Sequence, residues 1–143
     1  MKIKFMKIHD KAVIPYYSRQ GDAGMDLFAV EDYTIKPGER KLIPTGLKVE
    51  VPHGFEMQVR PKSGLALNSG ITVLNTPGTV DSGYRGELGV ILFNVSDKPF
   101  EVKQGQKIAQ AVFTKFEIVE FEEASELSLS DRGSNGFGST GLK

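Results

Sequence analysis

Apolar and polar side chains alternate in several short segments of this chain. Residues 2–8 (KIKFMKI) place Ile3, Phe5 and Ile8 near a period of two, which is typical of a strand with one solvated face. Further segments with strand character lie at 42–51, 55–60, 87–93, 100–103, 107–113 and 116–121. Turns containing Gly or Pro separate them. Short strands at this spacing predict an all-β domain, namely a sandwich, a jelly roll or a barrel.

Two segments depart from this strand pattern. The segment Ser63–Asn68 predicts one short helical turn, with Ser63 as its N-cap and Gly70 beyond its end. Residues 128–143 are rich in Ser and Gly and have little to bury, so they predict a flexible tail. We therefore divide the chain into a β core, 1–127, and a C-terminal arm, 128–143.

Length and composition exclude several classes of protein. The 143 residues are enough for one domain with a real core, and 39% of them are hydrophobic. The chain has no cysteine, so disulfides, thiolate metal sites and a cysteine nucleophile are excluded, and two histidines do not make a zinc site. No apolar stretch is long enough to cross a membrane, and the N-terminus does not resemble a signal peptide, so we expect a cytoplasmic protein. Acidic and basic side chains balance at 18 each, which gives no indication of nucleic-acid binding.

Five stretches carry more glycine, charge and hydroxyl than strands need. In GDAGMDLFA (21–29), two carboxylates lie among glycines; the alternative is a plain turn before a strand. In RPKSGLA (60–66), Lys62 and Ser63 precede a helical turn whose free N–H groups favour anions; the alternative is a simple N-cap.

The third and fourth stretches add a carboxylate and an amide. NTPGTVDSGYRGE (75–87) predicts a hairpin that brings together Asp81, which can orient and deprotonate a water, and Tyr84, whose ring can pack on a sugar or base. An ordinary hairpin with a turn aspartate would have the same composition. VKQGQKIAQ (102–110) turns at Gly105 into a strand that ends in Gln110, and by itself favours a structural role.

The fifth stretch, DRGSNGFGSTG (131–141), lies in the arm. Its four glycines leave the backbone free to wrap a ligand, and Arg132, Ser139 and Thr140 suit phosphate oxygens. Phe137 is unusual in a solvated segment and is suited to stack on a base. No Lys-Ser/Thr pair follows the glycines, so this is not a Walker A loop; a disordered linker is the alternative. Two phosphate cradles, a water-orienting carboxylate and a stacking aromatic together predict a nucleotide hydrolase.

In this order and spacing, the five stretches resemble the five motifs of the trimeric dUTP pyrophosphatases. The resemblance extends from about Gly21 to Gly141, and its most specific parts are RPKSGLA, TVDSGYRGE and RGSNGFGSTG. It implies a jelly-roll subunit and a homotrimer whose active sites are shared among chains, with each arm closing over a neighbour's site. The implied reaction is hydrolysis of dUTP to dUMP and pyrophosphate, which keeps uracil out of DNA and supplies dUMP for dTMP synthesis.

The resemblance also implies roles for individual residues. Asp81 would activate the water that attacks the α-phosphorus, and Tyr84 would stack on the deoxyribose and exclude a 2′-hydroxyl. Substrate binding would further involve, for the uracil, the backbone from Ile71 to Val80 with Asn75; for the phosphates, Lys62, Ser63, Gly64, Gln110, Arg132, Gly138, Ser139 and Thr140; and for stacking, Phe137. Mg²⁺ would arrive on the triphosphate, and Asp26 would contact it through water.

Three positions depart from the family's pattern. Lys62 stands where Arg is usual, which keeps the charge but loses the bidentate fork. Gly83 stands where a second Asp often precedes the Tyr, which leaves Asp81 as the only carboxylate before Tyr84 in this loop. Asn135 replaces a glycine of the arm, and Asn tolerates left-handed backbone better than most residues.

Three other interpretations compete with this one. A dCTP deaminase shares the jelly roll but needs an acid/base carboxylate at the base edge, for which Glu87 is the only nearby choice; ammonia release from dCTP would identify it. A nucleotide sensor on the same fold would bind without turnover. A purely structural jelly roll would leave the arm unexplained and would tolerate its deletion.

Overall fold

The computed structural model of the chain describes residues 1–140, and the elements found there are almost all strands. They are β1 (Lys4–Lys7), β2 (Met25–Phe28), β3 (Tyr33–Ile35), β4 (Arg40–Pro44), β5 (Leu47–Glu50), β6 (Phe55–Arg60), α1 (Ser63–Ser69), β7 (Ile71–Val73), β8 (Gly78–Val80), β9 (Gly89–Asn94), β10 (Phe100–Val102) and β11 (Lys107–Lys115). The strands pair antiparallel throughout. The prediction of an all-β jelly-roll-like domain is confirmed.

Two larger sheets and two strand pairs enclose one core. The larger sheets have the orders β2-β11-β6-β8 and β4-β9-β7, and the pairs are β1-β5 and β3-β10. β9 shows the expected alternation, since Val90, Leu92 and Asn94 are buried while the residues between them are half-buried. Side chains from both larger sheets and both pairs meet in a single apolar cluster. Because one core joins all the sheets, their edges keep fixed positions relative to one another.

The segment 42–51, which its composition predicts as one strand, is two strands in different sheets. The chain turns at Thr45 and Gly46: Thr45 Oγ1 donates to the carbonyl of Leu88 at 2.7 Å, and Gly46 adopts a φ of 66°. A Cβ on Gly46 would lie 2.6 Å from the Cβ of His9, so no larger residue fits there. The sharp turn sends β4 to β9 and β5 to β1.

The predicted strand at 116–121 is wrong. These residues form no strand, and every residue from Phe116 to Asn135 is exposed. The alternation of FEIVEF suits a half-buried strand, but β11 already pairs with β2 and β6, and no other strand of residues 1–140 pairs with this segment. Conversely, four strands lie outside the segments with predicted strand character, and each has only three or four residues: β2, β3, β7 and β8.

The predicted helical turn exists, but its cap differs. α1 runs from Ser63 to Ser69, and its N-cap is Lys62, with no side-chain capping hydrogen bond, rather than Ser63. Gly70 closes it in the left-handed conformation, as the sequence indicated. No helix within the described part of the chain is both long and apolar enough to cross a membrane.

Candidate active site

A cleft opens between β8 and the outer face of the β4-β9-β7 sheet. Its volume is about 350 Å³, within the range of small-molecule sites. Three residues predicted to bind the base and sugar, Asn75, Val80 and Tyr84, line this cleft. Asp81 lies at a smaller adjoining cavity of about 180 Å³, which shares Val80 and Tyr84 with the first. The structure thus brings the proposed base and the nucleoside residues together.

The segment that carries these residues is not a hairpin, contrary to the prediction. β8 pairs with β6, whereas β7 and β9 pair with each other in the other larger sheet, so β8 forms no ladder with the strand before it or after it in sequence. Asn75 and the three residues of β8 therefore border the open cleft. Two N–H groups of the β7–β8 connection are bonded within the chain, since Leu74 donates to the carbonyl of Ile91 at 2.9 Å and Thr76 donates to that of Val73 at 3.2 Å.

Tyr84 is held in a defined orientation at the mouth of the cleft. Its backbone N–H donates to the carbonyl of Asp81 at 3.1 Å, which closes a turn, and its hydroxyl donates to the carbonyl of Glu87 at 2.9 Å. The ring packs directly over Gly86, where an added Cβ would overlap the Tyr84 oxygen. Tyr84 as a whole is 45% exposed and lines the cleft, so a ligand there can reach it.

Glu87 borders the same cleft, but its carboxylate is already bonded. Its Oε1 accepts the backbone N–H of Gly46 at 2.9 Å. This bond ties the β4–β5 turn to the loop before β9. Glu87 therefore has a structural partner, which disfavours it as the acid/base group that a deaminase requires.

A second group of predicted residues lies at the opposite end of the β2-β11-β6-β8 sheet. Asp26 on β2 faces Gln110 on β11, which in turn faces Arg60 at the end of β6. Asp26 is only 8% exposed. One of its oxygens accepts a hydrogen bond from the ammonium group of Lys62. The other accepts one from the ammonium group of Lys107, at 2.7 Å. Sequence reasoning missed Lys107.

This cluster is electrostatically coupled. Burial by itself raises the pKa of Asp26, but hydrogen bonds from Lys107 and Lys62, together with their positive charges, outweigh burial and hold this pKa below its ordinary value. The same hydrogen bond and charge raise the pKa of Lys107. The group therefore carries one negative and two positive charges, a net charge that suits a polyphosphate.

Ser63 and Gly64 follow the cluster directly. Both are exposed at the start of α1, and an added Cβ on Gly64 would meet no atom within 4 Å. A ligand can therefore approach the backbone closely at this point. Lys62, Ser63, Gly64 and Gln110 thus occupy the same end of the sheet as Asp26.

The two groups are far apart within one chain. Val80, which precedes Asp81, lies opposite Met57 on β6, and Lys62 follows Met57 by five residues. At about 3.3 Å per residue along an extended strand, this places the start of the Asp81 loop roughly 16 Å from Lys62. The start of the Asp81 loop and the cationic cluster therefore lie beside opposite ends of β6.

The arm is not placed at either group. Within the arm, Arg132 donates a hydrogen bond to the carbonyl of Asn135 at 2.8 Å. Phe137 is fully exposed and has a φ of 50°. The three residues that follow it are also exposed: Gly138, Ser139 and Thr140. Gly141, the last residue of the fifth stretch, and the end of the 128–143 segment lie outside the described residues. Asn135 does not adopt a left-handed backbone, so its tolerance for that conformation is not used here.

The departure at Gly83 has no steric cause. An added Cβ there would meet nothing within 4 Å, and the residue does not have a positive φ.

Residues 1–140 contain no group of three His, Asp or Glu side chains placed to hold a metal ion. Asp26 has one carboxylate, whose two oxygens both meet lysines, which fits contact with a hydrated Mg²⁺ and not direct ligation of it.

Comparisons with known proteins show which family this chain belongs to. A dUTPase family model matches residues 10–141. The deoxyuridine 5′-triphosphate nucleotidohydrolase of Clostridium novyi is 56% identical over 142 residues, 99% of this chain and 100% of that protein. That of Trichodesmium erythraeum is 54% identical over 141 residues, 99% of each.

Solved structures show the same fold. The Staphylococcus bacteriophage 80alpha dUTPase with dUPNHPP matches with a TM-score of 0.92 at 25% identity and covers 99% of both chains. The dUTPase from phage phi11 of S. aureus matches with a TM-score of 0.83 at 21% identity, over 89% of this chain and 98% of that one. Because the family model spans nearly the whole chain and relatives of equal length are more than half identical, this chain belongs to the dUTPase family, the enzymes that hydrolyse dUTP to dUMP and pyrophosphate.

Proposed function

We propose that this dUTPase works as a homotrimer in which each active site combines the Asp81 cleft of one chain, the cationic cluster of a second and the arm of a third. The observation that carries this proposal is the separation of the two groups, roughly 16 Å along β6. A symmetric assembly brings the cleft of one copy against the cluster of another and repeats the arrangement until it closes. The arm, whose described residues 128–140 bond to each other and to neither group, then reaches a neighbouring site.

The cleft accounts for selection of the nucleoside. Uracil enters between Asn75 and the residues of β8, where backbone donors and acceptors match its edge. Cytosine presents the reversed donor and acceptor pattern and would leave buried polar groups unpaired, and the thymine methyl group would collide with the wall. Tyr84, fixed over Gly86, packs against the deoxyribose and leaves no space for a 2′-hydroxyl.

Asp81 acts as the general base. It accepts a proton from a water whose oxygen bonds to the α-phosphorus, while the bond between the α-phosphorus and the bridging oxygen breaks and pyrophosphate leaves. The remaining residues position the chain of phosphates and offset its charge. Lys62, Ser63, Gly64 and Gln110 hold the phosphates near the bond that breaks.

Mg²⁺ bound to the triphosphate would supply charge neutralisation and a fixed phosphate geometry. Asp26 is the residue that would contact its waters. A structural Mg(II) ion is named for a mutant dUTPase of phage phi11, which matches this fold at 22% identity. The arm residues Arg132, Ser139 and Thr140 bind the outer phosphates, and Phe137 covers the base, so residues 128–143 act as a lid on the β core 1–127.

Substrate selectivity tests the proposal directly. The purified chain is incubated with Mg²⁺ and dUTP, dCTP, dTTP or UTP, and pyrophosphate and ammonia are measured. Pyrophosphate from dUTP alone is the expected result, and light scattering should give about 47 kDa, three times the chain mass of 15.7 kDa. Pyrophosphate from UTP at a similar rate would refute the role of Tyr84, ammonia from dCTP would indicate a deaminase, and a 15.7 kDa particle with full activity would refute shared sites.

A further inference from the structure

Lys107 reaches the Asp26 cluster because of an irregularity in β11. Residues three apart in a regular strand point to opposite faces, so Lys107 and Gln110 should diverge. Lys107 lies opposite Phe28 and Gln110 opposite Asp26, with a register shift between Lys107 and Ala109. The extra residue, Ile108, is buried in the core. This bulge turns Lys107 onto the face that carries Asp26 and Gln110, a re-aiming that bulges often provide near active sites.

The contacts of Lys107 differ from those of a solvated lysine. Its ammonium lies 2.7 Å from Asp26 Oδ2 and 6.0 Å from the centre of the Phe28 ring. Lys62 occupies the other oxygen of Asp26, Oδ1. The side chain of Asp26 is 10% exposed, that of Lys62 23% and that of Lys107 44%, so the cluster is enclosed on the Asp26 side and open on the Lys107 side.

We propose that Lys107 is a positioning residue for the triphosphate, acting through Asp26 on Lys62. The inference rests on the proposed function of this cluster. Lysine lacks the planar fork that lets arginine bind a phosphate through two parallel bonds, so an ammonium at position 62 needs a fixed partner to hold its position. Asp26 is that partner, and Lys107 holds its second oxygen.

Lys107 also determines the charge that the cluster presents. With Lys107, one carboxylate and two ammonium groups leave a net charge of about +1 beside Ser63 and Gly64. Without it, the charges of Asp26 and Lys62 would cancel, and the cluster would present no net positive charge to the phosphates. Removing Lys107 should therefore weaken the binding of the triphosphate and leave the binding of the nucleoside largely unchanged.

Binding measurements on three variants test this assignment. Lys107→Met keeps the aliphatic stem and removes the charge, Lys107→Arg restores a charge, and Lys103→Met is the matched control. Lys103 is also exposed and ion-paired, 3.3 Å from Asp32, but it lies outside the cluster. Calorimetry gives the affinity for Mg²⁺ with the dUTP analogue dUPNHPP, NMR titration gives the affinity for 2′-deoxyuridine, and thermal unfolding checks that each variant is folded.

We expect Lys107→Met to bind the analogue about tenfold more weakly while its affinity for deoxyuridine changes less than about twofold. Lys107→Arg should recover most of the loss, and Lys103→Met should match the parent. If Lys107→Met does not fold, Lys107→Gln replaces it in the same comparison. Unchanged analogue binding, an equal loss for deoxyuridine or no recovery with Arg would each overturn the assignment. A parent chain that neither bound the analogue nor hydrolysed dUTP would instead refute the proposed function itself.

Discussion

The position of Tyr84 depends on Gly86, two residues later in the chain. Its ring lies so close to Gly86 that an added Cβ would overlap the phenolic oxygen and lie 2.5 Å from the neighbouring ring carbon. The hydroxyl bond to the carbonyl of Glu87 holds the ring in that place. The orientation of the ring is thus set by the absence of a side chain two residues later.

Gly86→Ala should therefore displace Tyr84 and break its hydrogen bond. We expect KM for dUTP to rise about tenfold and the preference for dUTP over UTP to fall, because the ring no longer excludes the 2′-hydroxyl. Steady-state kinetics with both nucleotides measures this. Gly83→Ala is the matched control in the same loop, since its Cβ would meet nothing within 4 Å. Equal behaviour of the two variants would contradict the packing argument.

Asp81 offers a separate test of the chemistry. Asp81→Asn keeps the shape of the side chain and removes its capacity to accept a proton. The variant should bind dUPNHPP within a few-fold of the parent, whereas kcat should fall by at least about 100-fold. Calorimetry and pyrophosphate release measure the two quantities. Near-normal turnover would show that another group deprotonates the water.

Some site residues could be predicted from sequence, and others could not, for a physical reason. Asp81 and Tyr84 lie in one turn, so their proximity follows from local chain geometry. Lys107 has no such signal, because only the register shift in β11 places it beside Asp26. The face of the sheet on which Lys107 lies depends on how β11 pairs with β2, and that pairing is tertiary structure.

Among the secondary-structure elements, the apolar and polar pattern alone misplaced strands, because a strand forms only where a pairing partner is present. FEIVEF alternates as well as β9 does, but β9 lies between β4 and β7, while 116–121 has no partner in the described chain. The break within 42–51 follows from Gly46, whose close contact with His9 no periodicity could indicate. A turn residue did predict the end of the helix, since Gly70 closes α1 as expected.

The C-terminal segment should contribute little to the stability of the core. Residues 128–135 are all exposed, so deleting 128–143 should remove little packing from the core. We expect the truncated chain to unfold within a few degrees of the parent, while turnover falls at least about 100-fold because the outer phosphates lose their lid. Thermal unfolding and pyrophosphate release measure these effects.

Phe137→Ala in the full-length chain is the companion variant, since it removes only the stacking ring. The turnover of this variant should lie between that of the parent and that of the truncated chain. Full activity of the truncated chain would assign the arm a role outside catalysis and would favour a structural tail.

For the whole molecule, the central question is whether one chain holds a complete site. Asp81 follows β8, level with the beginning of β6, while Lys62 follows the end of β6. On the proposed function, an assembly completes the site, because the cleft of one chain then faces the cluster of another.

Mixing two inactive variants tests this arrangement. One chain carries Asp81→Asn, and the other carries Lys62→Met together with Ser63→Ala. If sites form between chains, co-refolded equal mixtures should recover about a quarter of the parent activity, because one site in four combines the intact cleft of one chain with the intact cluster of the other. If each site lies within one chain, every site keeps a defect and no activity returns.

A chain with all three substitutions, mixed with the Asp81→Asn chain, controls for the mixing itself, because no combination of these two restores Asp81. Recovery in the first mixture and none in the second would assign Asp81 and Lys62 to different chains of one site. Activity absent from both, in particles of trimer mass, would mean that the trimer exists but does not share its sites. The gap of roughly 16 Å would then have to be closed by the substrate, whose extended triphosphate would reach from the cleft to the cluster on the same chain.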